Sequence, residues 1–126
     1  MKKQILLVED DSFITQMYVS KLEESGAEIH VYANPLEAQE ELQKPSVDYD
    51  LLLYDLMLPD MSGYDLIRWT KEQDHLKEIP IIVLSNLSAQ KDVDDAYDAG
   101  AVDFIVKSNY TPNEVLRVIN RHVSLK

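Results

Sequence analysis

The chain has no cysteine, which excludes disulfides and thiolate metal sites and fits the cytoplasm. Its three glycines stand apart from one another, so no Gly-rich loop is present to cradle the phosphates of a nucleotide. Apolar runs are short throughout, nowhere near the roughly 20 residues of a membrane span. The Met1-Lys2-Lys3-Gln4 start leads only into the apolar stretch Ile5 to Val8, and neither a secretory signal nor membrane insertion is expected. Basic residues are the other shortage. Twelve lysines and arginines stand against 23 acids, a net charge of −11, and the phosphate backbone repels such a surface, so direct nucleic-acid binding is not expected. The acidity suits divalent cations at one point and basic protein surfaces elsewhere, although acids on solvated faces need no partner. With 126 residues, 45% of them hydrophobic, the chain can bury one sizeable core. A single domain over 1–126 with no attached output domain is the expectation.

What is present is a fivefold alternation of short apolar strands and amphipathic helices, the pattern of an α/β parallel sheet covered on both faces. Ile5 to Val8 is the first strand. Asp11 or Ser12 caps a helix whose apolar positions Phe13, Ile14, Met17, Tyr18 and Leu22 recur at three and four, and Gly26 ends it. Glu28 to Tyr32 is more polar and suits an edge, and Asn34-Pro35 starts a second helix over Leu36 to Gln43. Leu51 to Tyr54 is a continuous apolar run of strand length, fit for a central strand. Gly63 opens a third helix carrying Leu66, Ile67 and Trp69. Ile81 to Leu84 is another buried strand, followed by a helix from about Gln90 to Ala99 that Gly100 closes. Val102 to Val106 is the last strand. Thr111-Pro112-Asn113-Glu114 forms a capping box, and Val115, Leu116, Val118, Ile119 and Val123 give the final helix its buried face.

Just beyond the carboxyl ends of the strong strands stand Glu9 and Asp10, Asp55, Ser85 and Lys107. Right-handed crossovers bring all these ends to one edge of the sheet, the edge where open α/β sheets bind ligands. Taken singly, Asp55 could merely cap its loop, Ser85 a turn, and Lys107 a solvated strand end. Together, three close carboxylates repel and raise one another's pKa unless a cation sits among them. Magnesium takes such oxygen ligands while leaving positions for waters and phosphate oxygens. With a metal, a lysine and a hydroxyl beside it, Asp55 is laid out to receive a phosphoryl group.

Val8-Glu9-Asp10-Asp11, Tyr54 to Gly63, Ile81 to Ser85, Ala99-Gly100-Ala101 and Phe104 to Lys107, in this order and at these separations, resemble the receiver domain of bacterial two-component response regulators, the single-domain chemotaxis type included. The resemblance covers essentially the whole chain. It implies a flavodoxin-like, doubly wound fold with five parallel strands in the order 2-1-3-4-5 and five helices. It also implies that Asp55 is the phosphoacceptor, supplied by a phosphohistidine on a sensor histidine kinase or phosphotransfer protein, in a reaction needing Mg2+ or, in its place, Mn2+. By the same resemblance Asp10 and Asp55 ligate the metal through carboxylates, Met57 through its main-chain carbonyl and Glu9 through water. Ser85, Lys107 and Phe104 match the switch hydroxyl, the lysine and the rotating aromatic. A downstream protein effector would read the fourth helix, last strand and last helix.

Two positions depart from that pattern. Ser108 follows Lys107 where the family usually has proline, and since a cis bond without proline costs about 2.5 to 4 kcal/mol, a trans peptide and a rearranged loop are expected there. Asn86 replaces a small residue, and either crowds the phosphoryl pocket or adds a hydrogen bond to it. Met57 and Leu87, each two residues beyond a site residue, flank the path of water to the phosphoryl group. Neither can orient or deprotonate water, so slow dephosphorylation is expected. Asp92, Asp94, Asp95 and Asp98 put like charges on the fourth helix, which either makes it easy to reposition or is a solvated face. His30, His75 and His122 are read as structural or surface residues. Two other functions fit less well. An aspartyl-phosphate phosphohydrolase commonly has a second aspartate where Met57 stands. A receiver-like binding module not regulated by phosphorylation would be expected to lack some of Glu9, Asp10, Asp55, Ser85 and Lys107, and none is missing.

Overall fold

The computed structural model describes residues 2–125. Five strands, β1 (Lys3–Val8), β2 (Ala27–Tyr32), β3 (Leu51–Tyr54), β4 (Ile81–Ser85) and β5 (Asp103–Val106), alternate with α1 (Ser12–Glu24), α2 (Pro35–Leu42), α3 (Gly63–Lys71), α4 (Gln90–Ala99) and α5 (Pro112–Asn120). All the strands run parallel in the order β2-β1-β3-β4-β5, as expected. Among the described residues no helix is long and apolar enough to cross a membrane.

The period-2 alternation of strands sorts the core into two layers. Leu6, Val8, Leu52, Tyr54, Ile81, Val83 and Phe104 pack under α2, α3 and α4. Ile5, Leu7, Leu51, Leu53, Ile82, Leu84 and Ile105 pack under α1 and α5. Every side chain of β3 is fully buried, each leucine contributing about 1.5 to 3 kcal/mol of transfer free energy. The Tyr54 hydroxyl is buried too, and is satisfied: it pairs with Thr70 Oγ1 at 2.8 Å, which in turn reaches the Leu66 carbonyl at 2.7 Å. A fully covered β3 makes its exit, and hence Asp55, a rigid point.

The capping expectations hold with one choice resolved: Asp11, not Ser12, caps α1, its carboxylate accepting from the Phe13 and Ile14 N–H groups at 3.0 Å. Asn34 caps α2 with Pro35 as its first residue, as expected, and the helix ends one residue early, at Leu42; β5 begins at Asp103 rather than Val102, whose N–H still bonds the Ile81 carbonyl at 2.8 Å while its side chain is exposed. The larger correction concerns α1. Phe13 is 76% and Met17 39% exposed, so they do not belong to the buried stripe. Ile14, Tyr18 and Leu22 seat the helix at a strict spacing of four, and that narrow seam leaves Phe13 and Met17 on its flank.

Gly63 begins α3 in contact with the exit of β3. A Cβ there would stand 2.2 Å from the Asp55 carbonyl oxygen and 2.6 Å from Leu56 Cα, distances no side chain tolerates, while the Gly63 N–H bonds the Leu56 carbonyl at 2.9 Å. Gly100, at φ 125°, ends α4 in a conformation that favours glycine.

Candidate functional site

The five strand-end residues lie where the topology sends them, but they do not all touch. Glu9, Asp10 and Asp55 each offer a carboxylate oxygen within 4.8 Å of the others. Glu9 and Asp55 are buried and Asp10 is exposed. Lys107 reaches in from the end of β5 and bridges the two buried acids, pairing with Glu9 Oε1 and lying 3.1 Å from Asp55 Oδ2. The other Asp55 oxygen accepts from the Leu56 N–H at 2.7 Å and, more weakly, from that of Met57 at 3.4 Å. Asp55 is thereby oriented by its own chain on one side and by an ammonium on the other.

Electrostatics explain why the cluster holds together. Burial pushes the Glu9 carboxyl above its usual range, with the Asp55 charge adding to this, and the hydrogen bond from Lys107 only partly offsets it. Burial pulls the other way on the Lys107 ammonium, yet its hydrogen bonds and Coulombic attraction to Glu9 and Asp55 prevail and leave its pKa raised. One buried cation thus serves two acids. The set remains acid-rich and built of hard oxygen donors, the chemistry that suits a divalent ion such as magnesium.

Ser85 is buried at the end of β4, but its hydroxyl accepts from the Leu87 N–H at 3.1 Å and makes no bond to Asp55. Phe104, in register with Val83, is buried in the layer under α4. Of the residues expected beside the water path, Met57 is 66% exposed, whereas Leu87 packs partly against the core. The peptide bonds are all trans among the described residues, and Lys107–Asn109 forms a single 3-10 turn, η1. Asn86 does not enter the acid cluster: its Oδ1 accepts from the Ser108 N–H at 3.0 Å. Sequence reasoning also missed Tyr18, counted only as core. Its phenol, raised in pKa by burial, feels the charges of Lys107 and Glu9, and nothing in a helical apolar periodicity signals that placement.

The family model for the response regulator receiver domain matches residues 5–120. The chain belongs to that family. This receiver is 30% identical over 124 residues to a probable transcriptional regulator of Pyropia yezoensis, covering 98% of the receiver and 54% of that protein. Among solved structures, the receiver domain of a signal transduction histidine kinase from Syntrophus aciditrophicus is 34% identical with a TM-score of 0.86, covering 97% of the receiver and 90% of that chain. The receiver domain of a sensor histidine kinase from Pseudomonas aeruginosa, solved with magnesium in its active-site cleft, is 27% identical with a TM-score of 0.86, over 97% and 98% of the two chains. The receiver spans about half the length of the curated relatives it matches. Receivers are signalling modules rather than classical enzymes, and a phosphoacceptor role fits the acidic cluster at Asp55.

Proposed function

We propose that Asp55 accepts a phosphoryl group from a phosphohistidine on a sensor kinase or phosphotransfer protein, and that the resulting change is read by a protein effector at α4, β5 and α5. The observation that carries this reading is the Lys107 ammonium held 3.1 Å from Asp55 Oδ2 beside the Glu9 and Asp10 carboxylates. Asp10 and Asp55, with the Met57 carbonyl and Glu9 through water, would hold magnesium. When bound, the ion neutralises the acids and the phosphoryl oxygens. In the transfer, an Asp55 oxygen bonds to phosphorus as the donor's P–N bond breaks and its electron pair returns to the imidazole. Lys107 balances the charge gained on the equatorial oxygens. Ser85, now bonded to the Leu87 N–H, turns toward the new phosphoryl group, and the α4 loop follows it.

The surface supports a protein donor. Phe13 and Met17 on α1, the helix that begins just after Asp10, and Met57, two residues after Asp55, are exposed apolar side chains, of the kind that attract a partner where they adjoin. Met57 and Leu87 carry no group that activates water, so the phosphorylated form is long-lived for a receiver. Incubation with magnesium and a small acyl phosphate, followed by intact-mass measurement, tests the reading: the wild type gains one phosphoryl group and Asp55→Asn gains none. A wild type that gains none refutes it. Magnesium alone should raise the melting temperature, and Asp10→Ala should blunt that rise. Met57→Asn should speed dephosphorylation.

A further inference from the structure

Ser85 and Lys107 leave neighbouring strands, with Ser85 in register with Val106. The loops that follow them are tied at their first residues, because Asn86 Oδ1 accepts from the Ser108 N–H at 3.0 Å. Among the described residues no other hydrogen bond joins these two loops. The bond has a structural cause. Ser108 lies in the first turn of η1, where backbone N–H groups have no partner within the helix. Val106, the residue at the cap position, supplies no side-chain cap. Asn86 therefore caps the turn from a different loop. Asn86 and Ser108 are both exposed, so hydrophobic packing does not account for the contact.

We infer that Asn86 is a positioning residue for phosphoryl acceptance: by capping η1 it fixes the root of the Lys107 side chain, and so where the ammonium stands against Asp55. The inference rests on the phosphoacceptor reading of Asp55. The lysine arm has four rotatable carbons, and its reach to Asp55 is only as defined as the turn that carries it. The same bond ties the peptide after Ser85 to the peptide after the lysine, so the backbone roots of the two groups are held together while the Ser85 hydroxyl stays free to turn. Magnesium binding, set by the carboxylates, does not depend on it.

The test compares wild type, Asn86→Ala, Asn86→Asp, Ser108→Pro and the Asn86→Ala/Ser108→Pro double variant. Three quantities are read: the phosphorylation rate with saturating magnesium and a small acyl phosphate, magnesium affinity, and hydrogen exchange of the Ser108 amide without metal. Asn86→Ala should slow phosphorylation about fivefold, the scale of one lost hydrogen bond. It should leave magnesium affinity unchanged and speed Ser108 exchange. Asn86→Asp keeps the acceptor and should restore amide protection and most of the rate. Because Ser108→Pro removes the donor, the double variant should be no slower than Ser108→Pro alone. An unslowed Asn86→Ala, an unchanged Ser108 exchange, or a parallel loss of magnesium affinity overturns the inference while leaving Asp55 as acceptor. A wild type that takes no phosphoryl group overturns both.

Discussion

α4 and α5 flank the same strand and differ in almost every device that holds a helix. α5 has proline at its first position, a complete capping box between Thr111 and Glu114, and Val115, Val118 and Ile119 buried against the sheet. α4 has Ala89 at its cap position, with no side-chain cap, and fully buries only Ala96. Three of its aspartates are met at the surface, Asp95 by Lys91 and Asp94 by Gln90, each at 2.8 Å, and Asp92 Oδ1 by the Tyr64 hydroxyl of α3 at 3.4 Å. The difference teaches where a structure can move at low cost: the helix that follows Ser85 is the lightly anchored one, and the helix that follows Lys107 is the fixed reference.

The sharpest break of that contrast comes from the core of α5. Ile119→Ala should destabilise the fold by about 2 to 5 kcal/mol in chemical denaturation, with a matching drop in melting temperature. Next, Thr111→Ala should cost about 1 kcal/mol by the same measurement. The Thr111 backbone N–H and, beside it, the hydroxyl also hold the Glu114 carboxyl below its usual range, and the variant loses only the hydroxyl's share. A depressed carboxyl contributes stability above its ordinary pKa that is lost as pH falls through the folded value, so the gap between wild type and Thr111→Ala should narrow in acid. Sharpening α4 instead, Ala89→Ser supplies the missing cap and should add about 0.5 to 1 kcal/mol to local stability, read as slower amide exchange across residues 91–96. The smallest effect is expected of Lys91→Ala, which removes an exposed pair and should leave the midpoint of chemical denaturation essentially unchanged.

Much of this was legible from residue order alone. Leu51 to Tyr54 and Ile81 to Leu84 are too short and too uniformly apolar for anything but covered strands, and once those strands are parallel their exits share an edge. The acid cluster with Lys107 followed from that topology. What stayed hidden depends on side-chain direction. Phe13 and Met17 satisfy a helical period as well as Ile14 and Tyr18 do, and only the position of the sheet decides which are covered. The Ser85 hydroxyl faces its own loop rather than Asp55, because an unpaired N–H two residues on competes for it. Asn86 and Ser108 are 22 residues apart, and although each departs from the family pattern, nothing in the sequence pairs them until β4 and β5 bring them together.

The start of α3 allows no slack against the acceptor loop. With the Asp55 carbonyl 2.2 Å from where a methyl group at position 63 would sit, codon 63 randomised in a library selected for folding should return glycine and nothing else. The loop can change its charge and its partner, but it cannot drift away from the helix it presses on.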